Sequence, residues 1–253
     1  MTSISVITPI LNEISTVAQT CESVQEQNYP HIEHIVIDAG STDGTLEYLQ
    51  SVDTRIDHLI SEPDKGIADA FNKGIKAANG DYILLLNADD YLEPGVFRIL
   101  EEFIKRESTP DIIFGTIRYL DGTMEYTEKP NLNRIWDYMS IFHPATLVRR
   151  ECYDRIGMFS SDYTLAMDCE WFHRAVAANT RFAEFPGIIA TMRTGGRSHQ
   201  GLWAALGEFR RSAQKHGGSQ LRPWFFQVRQ YLAHKLLKIR MVKRLNLARR
   251  HAT

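Results

Sequence analysis

Residues Tyr82 to Leu86 are an unbroken apolar run that stops abruptly at Asn87-Ala88-Asp89-Asp90. A run of that length reads as a strand buried on both faces, the mark of a parallel sheet covered by helices. Two adjacent carboxylates at the carboxyl end of such a strand are costly unless something positive meets them. In open α/β sheets that edge is where ligands bind. Hard divalent cations such as Mg2+ or Mn2+ favour a few carboxylate oxygens combined with the phosphate oxygens of a substrate. The plainer alternative is that Asp89 and Asp90 open a turn and cap a helix after Pro94.

The chain before this run alternates. Ile4 to Thr8 and Ile32 to Ile37 are short β-branched strands flanking a helix over Thr16 to Gln27. Gly40 to Gly44 is a turn leading to a helix near Thr45 to Gln50, and Ile56 to Ile60 is a third strand. Ile67, Ala70, Phe71, Gly74, Ile75 and Ala78 then recur at helical spacing, with Asn79-Gly80 read as the helix end. This order predicts an α/β, Rossmann-like, mostly parallel central sheet with helices on both faces. After Pro110 the pattern changes. Strands are expected over Asp111 to Tyr119 and Thr123 to Thr127, then a helical patch near Asn133 to Met139 and a strand over Ala145 to Val148. A helix within Leu165 to Asn179 and one or two strands within Arg181 to Arg193 follow. From Leu202 the pattern is helical, with breaks at Gly217-Gly218 and Pro223, so the expected division is a domain over 1–200 and a helical extension over 201–253.

Charge separates the same two parts. Twelve of the 29 Lys and Arg lie from Arg210 onward, where there is no Asp or Glu, although the whole chain carries only −2. A basic tail on an acidic body implies an anionic partner. The body would repel nucleic acid, which leaves an anionic membrane surface. Val228, Leu232, Leu236, Ile239 and Val242 form an apolar stripe in a helix expected over Trp224 to Arg250. That stripe suits an interfacial helix, or packing on the domain or on a second copy of the chain. The N-terminus enters a strand within a few residues, so no signal peptide is expected, and no apolar run is long enough to span a bilayer. Cys21, Cys152 and Cys169 are odd in number and widely spaced, which suits a reducing cytoplasm and offers no zinc spacing.

Polar residues gather where the early strands end: Thr8 to Glu13, Asp38 to Asp43, Ser61 to Gly66 and Asn87 to Asp90. In a parallel sheet these four loops share one edge. A base or ribose would bond to Thr8 and Asp38, with a diphosphate nearby on a metal. No Gly-x-Gly-x-x-Gly or Walker A loop is present, so a metal must neutralise much of that charge.

The segments SVITPILNE, HIVIDAGSTDGT, SEPDKGIADAFNKGI, GDYILLLNADDYL, FHPATLVRR, RIGMFSSDYTLAMDCEWFHRA and MRTGGRSH run in order from residue 3 to residue 199. Together they resemble the inverting nucleotide-sugar glycosyltransferases of family 2, with the GT-A fold, in the bacterial branch that builds cell-surface polysaccharides. The resemblance implies that Thr8, Pro9 and Asp38 hold the nucleotide base and ribose, and that Lys65 faces the nucleotide. Asp89 and Asp90 match the Asp-x-Asp-type motif for Mn2+ or Mg2+ and diphosphate, with Asn87 where many members carry the first Asp. UDP is the default nucleotide, and the acceptor is a saccharide or lipid-linked saccharide.

The resemblance also points to Asp168 as the general base, with Met167 where many members carry Glu. Spacing supports this, because Asp168 shares the apolar face of Trp171, Phe172, Ala175 and Val176, whereas Glu170 is expected to turn away. A simple helix cap is the alternative. His143 lies in a matched segment and would place acceptor or diphosphate, or be merely structural. Arg193, Arg197, Ser198 and His199 surround Gly195-Gly196 as a candidate lid over the phosphates, or as a surface turn. Trp136, Tyr163 and Trp171 would stack on a sugar, or simply be core. The competing functions are a catalytically silent nucleotide-sugar-binding or membrane scaffold protein, and a sugar-nucleotide pyrophosphorylase. The latter wants a Gly-rich, basic first loop, whereas Thr8 to Glu13 has neither glycine nor a basic residue.

Overall fold

The computed structural model describes residues 1–51, 56–194 and 202–219, and beyond them 222, 224–226, 228 and 229. Arg197, Ser198 and His199 of the candidate lid, and most of the helix expected over Trp224 to Arg250, lie outside the described residues.

The first half follows the predicted alternation: β1 (Ile4–Ile10), α1 (Val17–Gln25), β2 (Ile32–Asp38), α2 (Thr45–Ser51), β3 (His58–Ser61), α3 (Ile67–Ala77) and β4 (Tyr82–Leu85). β3, β2, β1 and β4 lie side by side in that order, all parallel. The second half comprises β5 (Tyr91–Leu92), α4 (Val96–Arg106), β6 (Ile112–Asp121), β7 (Met124–Glu128), β8 (Thr146–Arg149), α5 (Arg150–Ile156), α6 (Met167–Ala177), β9 (Phe182–Arg193) and α7 (Leu202–Lys215). Here the sheet becomes mixed. β8 inserts antiparallel between β4 and β6, β6 and β9 run parallel, and β5 and β7 are antiparallel additions to β9 and β6.

Alternating residues of the central strands feed two cores, as the period of two along a strand requires. Val6, Leu84 and Leu86 pack with Phe97 and Leu100 of α4 on one face, and Ile7, Ile83 and Leu85 pack with Phe71 of α3 and Trp171 of α6 on the other. α7 adds a further layer, with Phe209 and Ala213 buried against Ala166 and Cys169. No helix among the described residues is long and apolar enough to cross a membrane.

Three local expectations change. α4 begins at Val96 behind a left-handed Gly95, so neither Asp89 nor Asp90 caps it. α3 ends at Ala77 with Ala78 already extended. Gly80 is needed for close approach instead, since a Cβ there would stand 2.6 Å from the Ser5 backbone nitrogen. The helical patch near Asn133 to Met139 is a single 3-10 turn over Leu132–Arg134.

Two fully buried histidines link neighbouring elements. His34 Nε2 is 3.1 Å from the Thr8 hydroxyl, while His173 contacts the Ser212 hydroxyl at 2.7 Å and the Ile135 carbonyl at 2.9 Å. Burial pulls both rings down to about 4. On acidification the unfolded chain, with its ordinary histidines, therefore binds protons first. The stability held above roughly pH 6.5 is lost as pH falls toward 4, by up to about 3 kcal/mol for each ring. Urea midpoints measured between pH 7.5 and 4.5 should fall through that window, with a smaller fall in His173→Gln; a flat profile contradicts the assignment.

Candidate active site

The parallel register carries the strand ends to one edge, where Ile10, Asp38 and Ser61 are direct cross-strand partners and Ile7 pairs with Leu85. Asp38 is fully buried there. Its carboxylate accepts the Gly40 and Ser41 amides at 3.1 Å each and the Ser61 hydroxyl at 2.6 Å, so it shapes the loops after β2 and β3. Asn12, in a left-handed conformation, locks the loop after β1 onto this one. Its Oδ1 accepts the Thr42 amide at 2.8 Å, and its own amide donates to the Ser41 hydroxyl at 2.9 Å. Thr8 lies beneath the edge with its hydroxyl turned to His34, and Pro9 is buried beside it. Lys65 is exposed, with its backbone amide donating to Asp69 at 3.1 Å.

Beyond β4 the polar residues form a connected chain. Asp90, only 1% exposed, accepts the Arg193 backbone amide at 3.2 Å and the Asn87 side-chain amide at 3.1 Å. The Asn87 amide nitrogen is also 3.2 Å from His143 Nε2, and His143 Nδ1 is 3.2 Å from Asp168 Oδ2. An amide donating to Nε2 makes that nitrogen the acceptor, which assigns the imidazole proton to Nδ1, facing Asp168. Phe71 packs edge-on against the His143 ring at 5.6 Å. The Arg193 guanidinium lies 5.8 Å from the Tyr91 ring and bonds to Gln19.

Asp168 is the second residue of α6 and 7% exposed. Glu170 does not turn away from the interior as the spacing predicts. It is 2% exposed and meets Arg174 at 3.0 Å and His216 at 3.2 Å, because α7 covers a second side of α6. Trp171 and Tyr163 are buried, and Trp136 stacks on His173 at 4.7 Å, so the core reading of these aromatics holds. A small apolar cavity lies behind His143 and Asp168, walled by Val148, Phe159, Trp171 and Phe172.

Asp89 and Asp90 suit a hard cation. Burial pushes the Asp89 carboxyl above the usual range. Burial, with the Asp89 charge second, pushes Asp90 well above it. Such shifts mark carboxylates short of positive charge. The buried Asn87 Oδ1 has no hydrogen-bond partner. Among the described residues no three His, Cys, Asp or Glu side chains converge on a closed site. Two carboxylates are nevertheless the complement Mg2+ or Mn2+ takes when phosphate and water complete its shell.

A mixed sheet with four polar loops on one edge and a carboxylate pair after β4 is the framework of a GT-A glycosyltransferase. The sequence profile described as "Glycosyl transferase family 2" matches residues 5–172, and the chain belongs to that family of enzymes. This membership removes the pyrophosphorylase alternative. An uncharacterised glycosyltransferase of Mycobacterium tuberculosis (strain ATCC 25618 / H37Rv) is 26% identical, covering 92% of this chain and 93% of its own. The putative teichuronic acid biosynthesis glycosyltransferase TuaG of Bacillus subtilis (strain 168) is 41% identical over 47% of this chain and 49% of its own. Among solved structures, S. aureus TarS 1-349 in complex with UDP-GlcNAc has a TM-score of 0.69 at 18% identity, covering 87% of this chain and 69% of that one. A longer TarS chain is spanned only to 41% of its length. The mannosyltransferase PcManGT from Pyrobaculum calidifontis, in complex with GDP-Man and Mn2+, has a TM-score of 0.64 at 19% identity, covering 91% of this chain and 70% of that one. At these identities the structural likeness speaks for the fold.

Proposed function

We propose that this enzyme transfers one sugar, with inversion, from a nucleoside-diphosphate sugar to a saccharide or lipid-linked saccharide during assembly of a cell-surface polysaccharide. The observation that carries the reading is the continuous chain Asp90, Asn87, His143 and Asp168, which ties the carboxylate pair to a buried-edge carboxylate. In this reading the nucleoside lies on the edge formed by the Asp38 and Asn12 loops. The exposed Lys65 and the half-buried Arg193 flank the diphosphate, and Arg197 follows in the same segment of sequence. Asp89 and Asp90 would hold Mn2+ or Mg2+, which as a Lewis acid stabilises the departing diphosphate.

Asp168 takes the proton of the acceptor hydroxyl as that oxygen attacks the anomeric carbon. The new C–O bond forms on the face opposite the breaking bond to the diphosphate oxygen, and the nucleoside diphosphate leaves with that bonding pair. A hydrogen bond from His143 Nδ1 to Oδ2 and one from the Cys169 amide to Oδ1 fix the orientation in which Asp168 meets the acceptor. UDP is the default nucleotide, and the likeness to TuaG, described as a teichuronic acid biosynthesis glycosyltransferase, favours a surface-polysaccharide acceptor. The 12 basic residues from Arg210 onward support a peripheral position on an anionic membrane surface on the cytoplasmic side.

The test is a panel of UDP-, GDP- and dTDP-sugars with Mn2+, scored for nucleotide release and, by proton NMR, for the anomer formed. An inverted product supports the reading, and a retained one removes it. In the same assay His143→Ala should lower kcat about 10-fold or more, at the low end for a group supporting acid–base catalysis, with UDP affinity within a factor of two. His143→Gln should recover part of the rate; equal rates in all three proteins would exclude a role for the ring.

A further inference from the structure

α6 has no side-chain cap of its own, although it carries Asp168 one residue inside its start. Its entering backbone is held instead by a helix 42 to 44 residues later. The Glu208 carboxylate of α7 accepts the amides of Thr164 at 3.0 Å, Leu165 at 2.9 Å and Ala166 at 2.9 Å, and the Thr164 hydroxyl at 2.9 Å. Arg211, one turn on, donates to the Asp162 carbonyl at 2.7 Å and lies 4.6 Å from the Tyr163 ring. Ser212 and His216 continue the same face onto His173 and Glu170. Glu208 is the last acidic side chain in the sequence, standing alone in a segment otherwise rich in Lys and Arg. Burial opposes its ionisation, but the three amides and the Thr164 hydroxyl outweigh that and hold the carboxyl below the usual range.

We propose that Glu208 is a positioning residue for Asp168: α7 fixes residues 164–166, and through them the angle at which α6 presents Asp168 to His143 and the acceptor. The inference rests on the reading of Asp168 as the base. Its physical basis is that the first amides of a helix have no intrahelical partner, so one carboxylate serving three of the amides that lead in sets where the helix starts. A misplacement of about 1 Å at a reacting group costs on the order of 100-fold in rate. The extension after residue 200 thereby becomes part of the catalytic apparatus.

The experiment compares the full chain with Glu208→Ala, Glu208→Gln, Asp168→Asn and the double variant Asp168→Asn/Glu208→Ala. It reads amide hydrogen exchange over 160–177, UDP affinity with Mn2+, and turnover of whichever panel nucleotide sugar the wild type uses fastest. Glu208→Ala should speed exchange over 160–177 at least about 10-fold and lower kcat about 10- to 100-fold, with UDP affinity within a factor of two. Glu208→Gln, which keeps one carbonyl oxygen, should fall between and carries the test if the alanine variant does not fold. The double variant should be no slower than Asp168→Asn alone. Unchanged exchange overturns the proposal, as does unchanged kcat despite faster exchange, or an equal loss in the Asp168→Asn background. Wild-type turnover in Asp168→Asn would defeat the base reading alone, since the exchange data still decide whether Glu208 holds α6.

Discussion

Asp168→Asn should lower turnover by about 10³-fold, within the range for loss of a general base, and leave UDP affinity within a factor of two. The amide has nearly the shape of the carboxylate, so the bond from the Cys169 amide at 2.7 Å can persist. His143 can meet the new amide by exchanging tautomers if Asn87 turns its partnerless Oδ1 to accept from Nε2. What disappears is the only function an amide lacks, acceptance of a proton at neutral pH. The proposed donor edge lies at the ends of β1 to β4, on different elements from α6, so nucleotide binding has no reason to follow. Steady-state kinetics and calorimetry on one preparation check both halves, and a variant keeping more than a tenth of wild-type turnover removes Asp168 from the proton-transfer role.

Asp90→Asn should have opposite effects on stability and function: turnover should fall to background, while the metal-free protein should melt at a higher temperature. Asp90 is held well above the usual carboxylate range by burial and by Asp89, so its charge is a liability whenever no cation is present. A neutral isostere relieves that cost, and the partnerless Asn87 Oδ1 can turn to accept from the new amide. Each kcal/mol gained should raise the midpoint by about 2–4 °C in a chain of this size. Differential scanning calorimetry in EDTA reads it directly. Added Mn2+ should raise the wild-type midpoint and leave the variant's unchanged, and a variant that melts lower than wild type in EDTA contradicts the electrostatic account.

Those two sites differed in how far the sequence disclosed them. The β4 run ending in Asn87-Ala88-Asp89-Asp90 was legible because full burial and an abrupt polar stop are both local signals, and the alternation before it set the parallel register. The inward placement of Asp168 was legible through its spacing to Trp171 and Phe172. The inward turn of Glu170 was not, because its partner His216 lies in the turn just after α7, 46 residues away, and a local pattern cannot reveal a second covering layer. The antiparallel insertion of β8 leaves no trace in a four-residue run of Thr146–Arg149, whose composition suits either direction. β5 is two residues long and owes its existence to pairing with Ala190 and Thr191. Glu208 reads in sequence as one charge at the front of a basic segment, and only the fold brings it to the amides before α6. Thr8 shows the converse, since a strand-end threonine looks available to a ligand until His34 is seen beneath it.

The most direct test of the account is calorimetric titration of UDP, GDP and dTDP, each with and without Mn2+, into wild type and Asp89→Ala. The account predicts that one nucleotide binds with a well-defined stoichiometry, that binding weakens by at least about 10-fold without Mn2+, equivalent to 1.4 kcal/mol, and that Asp89→Ala reproduces that loss with Mn2+ present. Nucleotide binding that is indifferent to both Mn2+ and Asp89, or no binding of any nucleotide, would contradict a metal-assisted donor site at the end of β4.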